Sequence, residues 1–342
     1  MALLLFFLIN SFTNGNEPID LKVKLGRFLF YDTRLSFNNS KSCSSCHDPV
    51  FCFTDTYRTS GGATGFTVLR NAPSLINIRF QKSYTWADST VNTLEKQMQF
   101  PMFNENPVEL GIKGNESRIL ARLKNDPNYR KLFKKVFVDE TDPFTLKNVI
   151  SCIASFERTF VSYHSAYDQY INGNKNALSS SAIRGMKLFQ SEKLNCSKCH
   201  AGKDLGATKE TDYFNTGLYN INNEDSYPKE DQGLFEITHA INDKGKFRVP
   251  SLRNVFLTAP YTHNGTVNSL NEMIDIYAHG GRYIKTGMNA GDGRSNKNKS
   301  NLIKGFTISA EEKNDLISFL ASLTDTSLLS NKKITNPFLN QN

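Results

Sequence analysis

The sequence predicts an all-α fold built from two related domains in tandem. Three observations carry this expectation. Apolar residues recur at three-and-four spacing in the segments that read as regular. Several stretches of the first half return in the second at a nearly constant distance. Each half also holds one Cys-x-x-Cys-His run, Cys43-Ser44-Ser45-Cys46-His47 and Cys196-Ser197-Lys198-Cys199-His200. A chain of 342 residues with 39% hydrophobic content has enough apolar material for two cores.

From the N-terminus, Leu3 to Ile9 form an apolar run too short to span a bilayer, read as the core of a signal peptide over residues 1–16. No later segment is apolar enough for a membrane span, so the expected product is exported and periplasmic. The N-terminal domain, residues 17–172, opens on Gly26-Arg27-Phe28-Leu29-Phe30. This is answered by Gly185-Met186-Lys187-Leu188-Phe189 in the C-terminal domain, residues 173–342. After each cysteine motif comes a proline loop, Ala72-Pro73-Ser74-Leu75-Ile76-Asn77 and then Val249-Pro250-Ser251-Leu252-Arg253-Asn254. Thr90-Val91-Asn92-Thr93-Leu94 and Thr266-Val267-Asn268-Ser269-Leu270 follow as helix starts. Each half closes on an amphipathic helix, with Val149, Ile150, Ile153, Phe156 and Phe160 in the first and Leu316, Phe319, Leu320 and Leu323 in the second. Ser309-Ala310-Glu311-Glu312 is a capping-box start for the last of these. Strand patterns are nearly absent, with short hairpins open only around Gly61, Gly62 and Gly65. Asn- and Ser-rich residues 173–181 read as the linker, and 285–300 as a polar insertion. The net charge of +8 is not gathered into any basic stripe, so no nucleic-acid partner is expected.

Cys-x-x-Cys-His is the attachment pattern of c-type haem: two thiols add to the haem vinyl groups, and the adjacent His reaches the iron. A zinc site would need four ligands at one centre, and each motif gathers three. A redox dithiol leaves the two following histidines without a purpose. Two covalent haem c groups are therefore expected, ligated by His47 and His200, in two cytochrome c-like domains. Cys52 and Cys152 remain, either as a disulfide or as buried small apolar residues.

The sixth position at each iron then decides the chemistry. In the helix after Leu270, Met273 and Tyr277 lie one turn apart on one face. Their counterparts in the first half are Gln97 and Pro101, and proline cannot bind iron. If Tyr277 closes the second haem, the first is open. Near Pro101 lie Glu105 and Glu109, either of which could carry a proton between the two oxygens of peroxide. Trp86, the single tryptophan, reads either as core packing or as an aromatic bridge between haems. Of the other histidines, His279 points away from Tyr277, and His164 and His239 read as surface residues.

These residues resemble the bacterial di-haem cytochrome c peroxidases, and more closely their MauG-like branch. Besides the haem motifs, the resemblance rests on Arg70-Asn71-Ala72-Pro73-Ser74, Trp86, Pro107-Val108-Glu109-Leu110, Phe156-Glu157-Arg158-Thr159, Val249 to Asn254 and Thr258-Ala259-Pro260-Tyr261-Thr262-His263-Asn264-Gly265, in family order over nearly the whole chain. It implies a peroxidatic N-terminal haem and an electron-transfer C-terminal haem joined through Trp86. It selects Glu109 over Glu105, so that the catalytic set is Glu109, Trp86 and Gln97. It further implies a calcium ion held by Asn71 and the carbonyls of Thr258 and Pro260, and leaves the role of His263 open.

Two departures alter the expected chemistry. Many members cap the resting peroxidatic iron with a His in the loop before Arg70; here that place falls near Ala63, and no His occurs between His47 and His164. Reductive activation is then unnecessary. Many members also use Met where this chain has Tyr277, and an anionic phenolate lowers the potential that a neutral thioether raises. The leading expectation is a peroxidase that reduces hydrogen peroxide with electrons from a small donor protein, a cytochrome c or cupredoxin. A MauG-like oxidase of a protein side chain and a non-catalytic electron carrier are the alternatives. The sequence does not set the oligomeric state, and a homodimer is one assembly open to it.

Overall fold

The computed structural model describes residues 20–339; the signal-peptide segment lies outside them. The first half contains α1 (Leu21–Tyr31), α2 (Leu94–Gln97), α3 (Gln99–Phe103), α4 (Glu116–Asn125), α5 (Pro127–Val136), α6 (Leu146–Glu157) and α7 (Ala166–Ile171). The second contains α8 (Ser180–Gln190), α9 (Cys196–Cys199), α10 (Phe235–Thr238), α11 (Leu270–Ala278) and α12 (Ala310–Ala321). Sheet is confined to two antiparallel pairs of two-residue strands, β1 (Tyr213–Phe214) with β2 (Phe247–Arg248) and β3 (Tyr283–Ile284) with β4 (Gly291–Asp292). The fold is mostly helical, as expected. No described helix is long and apolar enough to cross a membrane.

The repeat in sequence is a repeat in packing. α1 crosses α6 at Gly26, and α8 crosses α12 at Gly185. A Cβ on Gly26 would lie 1.9 Å from the Cys152 carbonyl oxygen, and one on Gly185 would lie 1.9 Å from that of Asp315. Any side chain there would push the helix pair apart. Around the first crossing Phe30 and Phe156 meet edge to face at 5.5 Å, and Phe53 stacks on Phe160 at 3.8 Å. Around the second, Phe189 and Phe319 meet at 5.2 Å. The Ser309 capping box on α12 forms, its hydroxyl accepting from the Glu312 amide while the Glu312 carboxylate accepts from the Ser309 amide.

The proline loops also match. Asn77 and Asn254 both adopt left-handed backbone, at φ of 56° and 58°, which Asn tolerates better than most residues. Their side-chain oxygens accept from the amides of Ser162 and Asp325, each just past the closing helix of its own half. Each loop is thereby tied to the helix that ends its domain, which holds it against the cysteine motif.

Two features exceed the sequence reading, and the state of the two spare cysteines decides between its alternatives. The pair α4 and α5 buries Ile119, Leu123, Tyr129 and Phe133, with Asp126 capping α5 and Pro127 at its first position. Cys52 and Cys152 are unpaired and buried in the first core. The last described residues return to the first half, where the carbonyls of Ile334 and Thr335 accept from Tyr31 and Arg27.

Candidate haem sites

Both Cys-x-x-Cys-His runs lie on short helical turns that aim their His into a cavity. His47 and His200 are half-buried, with Nδ1 2.9 Å from the Phe53 carbonyl and 3.2 Å from the Leu205 carbonyl. A carbonyl only accepts, so Nδ1 carries the proton and Nε2 keeps its lone pair for a metal. Burial pushes both imidazoles down, His200 to about 4, so each is the neutral form a metal requires. Thiols and imidazole together face a cavity in each half, an arrangement that fits covalent haem.

The first cavity is lined by Cys43, Cys46, His47, Gly61, Gly62, Gln97, Pro101, Glu109 and Glu157, with Met98 and Met102 on its apolar wall. Gln97 and Pro101 come from α2 and α3. Glu109 reaches the cavity because the loop that carries it folds back on the glycine stretch: the Ala63 amide donates to the Glu109 carbonyl at 2.7 Å, and a Cβ on Gly62 would lie 2.1 Å from the Val108 carbonyl. Burial pushes the Glu109 carboxyl up to about 7, and no group among the described residues hydrogen-bonds it. Glu105 is different: it is exposed and ion-paired with Lys113 at 2.5 Å. Geometry therefore separates the two glutamates that sequence left open. Glu157, at the end of α6, went unremarked as a site residue. Its carboxyl is buried, pushed up to about 8, and its Oε2 has no partner.

The second cavity is lined by Cys196, Cys199, His200, Leu270, Met273, Ile274 and Tyr277. Met273 and Tyr277 both project into it from α11. Burial pushes the Tyr277 phenol well above its usual range, with the nearby Cys199 and Cys196 adding to the effect, and no group among the described residues hydrogen-bonds its hydroxyl. A buried phenol without a partner beside a neutral imidazole is a fitting ligand pair for a metal that supplies the missing positive charge. His279 is exposed and its Nδ1 lies 2.7 Å from the Asp275 carbonyl, outside the cavity. His164 and His239 are on the surface.

Trp86 belongs to the first half in sequence but to the wall of the second cavity in space. Its indole packs with Leu218, Phe247 and Val267 and donates to the Asn71 carbonyl at 2.8 Å. Asn71, Thr258 and Pro260 line the same cavity. The Asn71 amide nitrogen donates to the Tyr57 and Arg58 carbonyls at 3.1 and 3.4 Å. The side-chain oxygen of Asn71 and the carbonyls of Thr258 and Pro260 accept nothing from the described residues. Three free neutral oxygens suit a hard cation that also keeps waters. His263 is buried beside them, stacked on Phe247 at 3.5 Å with Nε2 3.5 Å from Asp231.

The sequence profile described as di-haem cytochrome c peroxidase matches residues 20–176. A cytochrome-c peroxidase of Pseudomonas sp. (strain SCT) is 36% identical over 325 residues, covering 89% of this chain and 80% of that protein. The methylamine utilization protein MauG of Methylorubrum extorquens is 28% identical, covering 88% of this chain and 78% of its own length. Among solved structures, a MauG-like protein associated with microbial copper homeostasis superposes with a TM-score of 0.90 at 42% identity, covering 93% of each chain. The chain belongs to the di-haem cytochrome c peroxidase family and is an oxidoreductase of the cytochrome-c peroxidase type.

Proposed function

We propose that this chain reduces hydrogen peroxide to two waters at a haem carried by Cys43, Cys46 and His47, consuming two protons and two electrons. The haem supplies the redox chemistry and the open coordination that peroxide needs. The observation that carries the reading is Glu109: a half-buried carboxyl, with no hydrogen-bond partner among the described residues, on the wall of the first cavity. There it takes a proton from one peroxide oxygen and returns it to the other, which becomes the leaving water. Gln97 donates a hydrogen bond within the same cavity and orients the substrate. Pro101 keeps the corresponding ligand position vacant of any donor atom.

Cys196, Cys199 and His200, with Tyr277 on the same cavity wall, would hold a second haem that supplies a relay for electrons from a small cytochrome c or cupredoxin, and Trp86 on that wall would carry them toward the first half. Asn71 and the carbonyls of Thr258 and Pro260 would hold a calcium ion, and Asn71 already accepts from the Trp86 indole through its own carbonyl. The protein works in the periplasm. The experiment is steady-state peroxide consumption with reduced cytochrome c. Glu109→Gln is expected to lower turnover by roughly 10²- to 10⁴-fold with haem content unchanged, the range for a positioned acid–base group, while Glu105→Gln is nearly silent. Equal effects of the two substitutions would contradict the assignment.

Tyr277 favours a second reading, MauG-like oxidation of a protein side chain, because a phenolate ligand stabilises the oxidised second haem and so suits drawing electrons out of a partner. Peroxide-dependent modification of a partner protein without any added donor would decide for it.

A further inference from the structure

Arg248 is a buried cation with no carboxylate partner among the described residues. It lies in β2, is 4% exposed, and lines the second cavity. Its Nε donates to the Thr85 carbonyl at 3.0 Å, and its Nη1 to Gln81 Oε1 at 2.7 Å and the Val249 carbonyl at 3.5 Å. All three acceptors are neutral, and Nη2 has no hydrogen-bond acceptor among the described residues. The other deeply buried arginine, Arg253, has its own carboxylate in Asp168 at 2.9 Å. Arg70 likewise has Asp231 at 2.6 Å.

An unpaired guanidinium is costly to bury unless an anion completes it, and a guanidinium is the side chain best shaped to take a carboxylate. Burial already pushes Arg248 down to about 10, with only the Tyr213 phenol opposing that shift. The backbone amide of Arg248 donates to the Trp86 carbonyl at 2.8 Å, and its guanidinium lies 5.8 Å from the Trp86 ring centre. Two residues on is Pro250, which borders His200. The cation therefore faces the second cavity at the edge that Trp86 shares.

From this geometry we infer that Arg248 is the counter-ion of a propionate of the second haem. The inference rests on the reading that the second cavity holds a haem. Arg248 is a positioning residue: it would hold a propionate on the cavity wall that Trp86 shares, and its charge would offset the propionate and the Tyr277 phenolate. Without it, net negative charge beside the iron favours the ferric form.

The test is a spectroelectrochemical titration of both haems in the holoprotein, with covalent haem counted by mass. Two covalent haems establish the underlying reading, and a count of one overturns that reading whatever the potentials do. In Arg248→Gln the ferrous-to-ferric ratio of the second haem, at a fixed applied potential, should fall about tenfold, the effect of one charge at roughly 10 Å in a protein interior. The first haem should move far less. Arg248→Lys keeps the charge and should stay within about twofold of the parent. With two haems present, an unchanged second haem in Arg248→Gln overturns the inference. So does an equal fall in Arg248→Lys, which would mark a packing role. If Arg248→Gln does not accumulate as holoprotein, Arg248→Lys decides alone: retention of the parental potential supports the charge role, and a tenfold fall contradicts it.

Discussion

At the residue scale, chemistry that depends on adjacency was legible and chemistry that depends on burial was not. The Cys-x-x-Cys-His runs are local, so spacing alone places thiols and imidazole together. Glu105 and Glu109 are equally plausible in sequence, and only the fold exposes one and buries the other. Arg248 lies just before one of the matched motifs and Glu157 inside another, yet nothing local signals that the first lacks an anion or that the second lacks a hydrogen-bond partner among the described residues. The burial of Glu109 has a consequence in pH. Its carboxyl is pushed up to about 7, so the base form needed to accept a proton grows as pH rises through that value. Lys41 and Glu157 are the other charged groups on that wall besides the haem-linking residues, and Glu157, pushed up to about 8, titrates later. The acidic limb of peroxide turnover should therefore lie near pH 7 and vanish in Glu109→Gln. A limb near pH 4 to 5, the range of a solvated carboxyl, would rule out this residue. For Tyr277, Phe should remove the low-spin signature of the second haem, and Met should raise its potential. If the spectrum of Tyr277→Phe is unchanged, Met273 is the ligand.

At the scale of elements, periodicity and capping predicted the closing helices α6 and α12, and the repeated Gly marked where each is crossed. The predicted order of helix, motif, proline loop, helix and closing helix is present in both halves. What escaped were α4 and α5, which occur in the first half alone and so have no repeat to point to them. The short strands escaped too, because two residues cannot show a period. The paired glycine crossings make a quantitative expectation. Gly185→Ala brings a methyl to within 1.9 Å of the Asp315 carbonyl, and neither helix backbone can yield without disturbing Phe189 and Phe319. Thermal or denaturant unfolding should show a loss of at least about 2 kcal/mol, the upper part of the range for overpacking. A stability within about 0.5 kcal/mol of the parent would mean that the crossing is looser than described.

At the scale of the whole molecule, duplication supplies two similar cavities and divergence gives them different walls. One has Gln97, Pro101 and Glu109 where the other has Met273 and Tyr277. Trp86 links the halves, rooted in the first and packed into the second. The C-terminal segment returns to α1, and residues of both halves, Asn71 with Thr258 and Pro260, line one cavity. The central claim is that the protein has one site ready for peroxide without prior reduction, since no His from the 61–63 stretch enters the first cavity. It is tested by mixing fully ferric protein with peroxide and reduced cytochrome c, with and without a pre-reduction step. The account predicts immediate turnover at the same rate in both cases, and turnover that appears only after pre-reduction would contradict it.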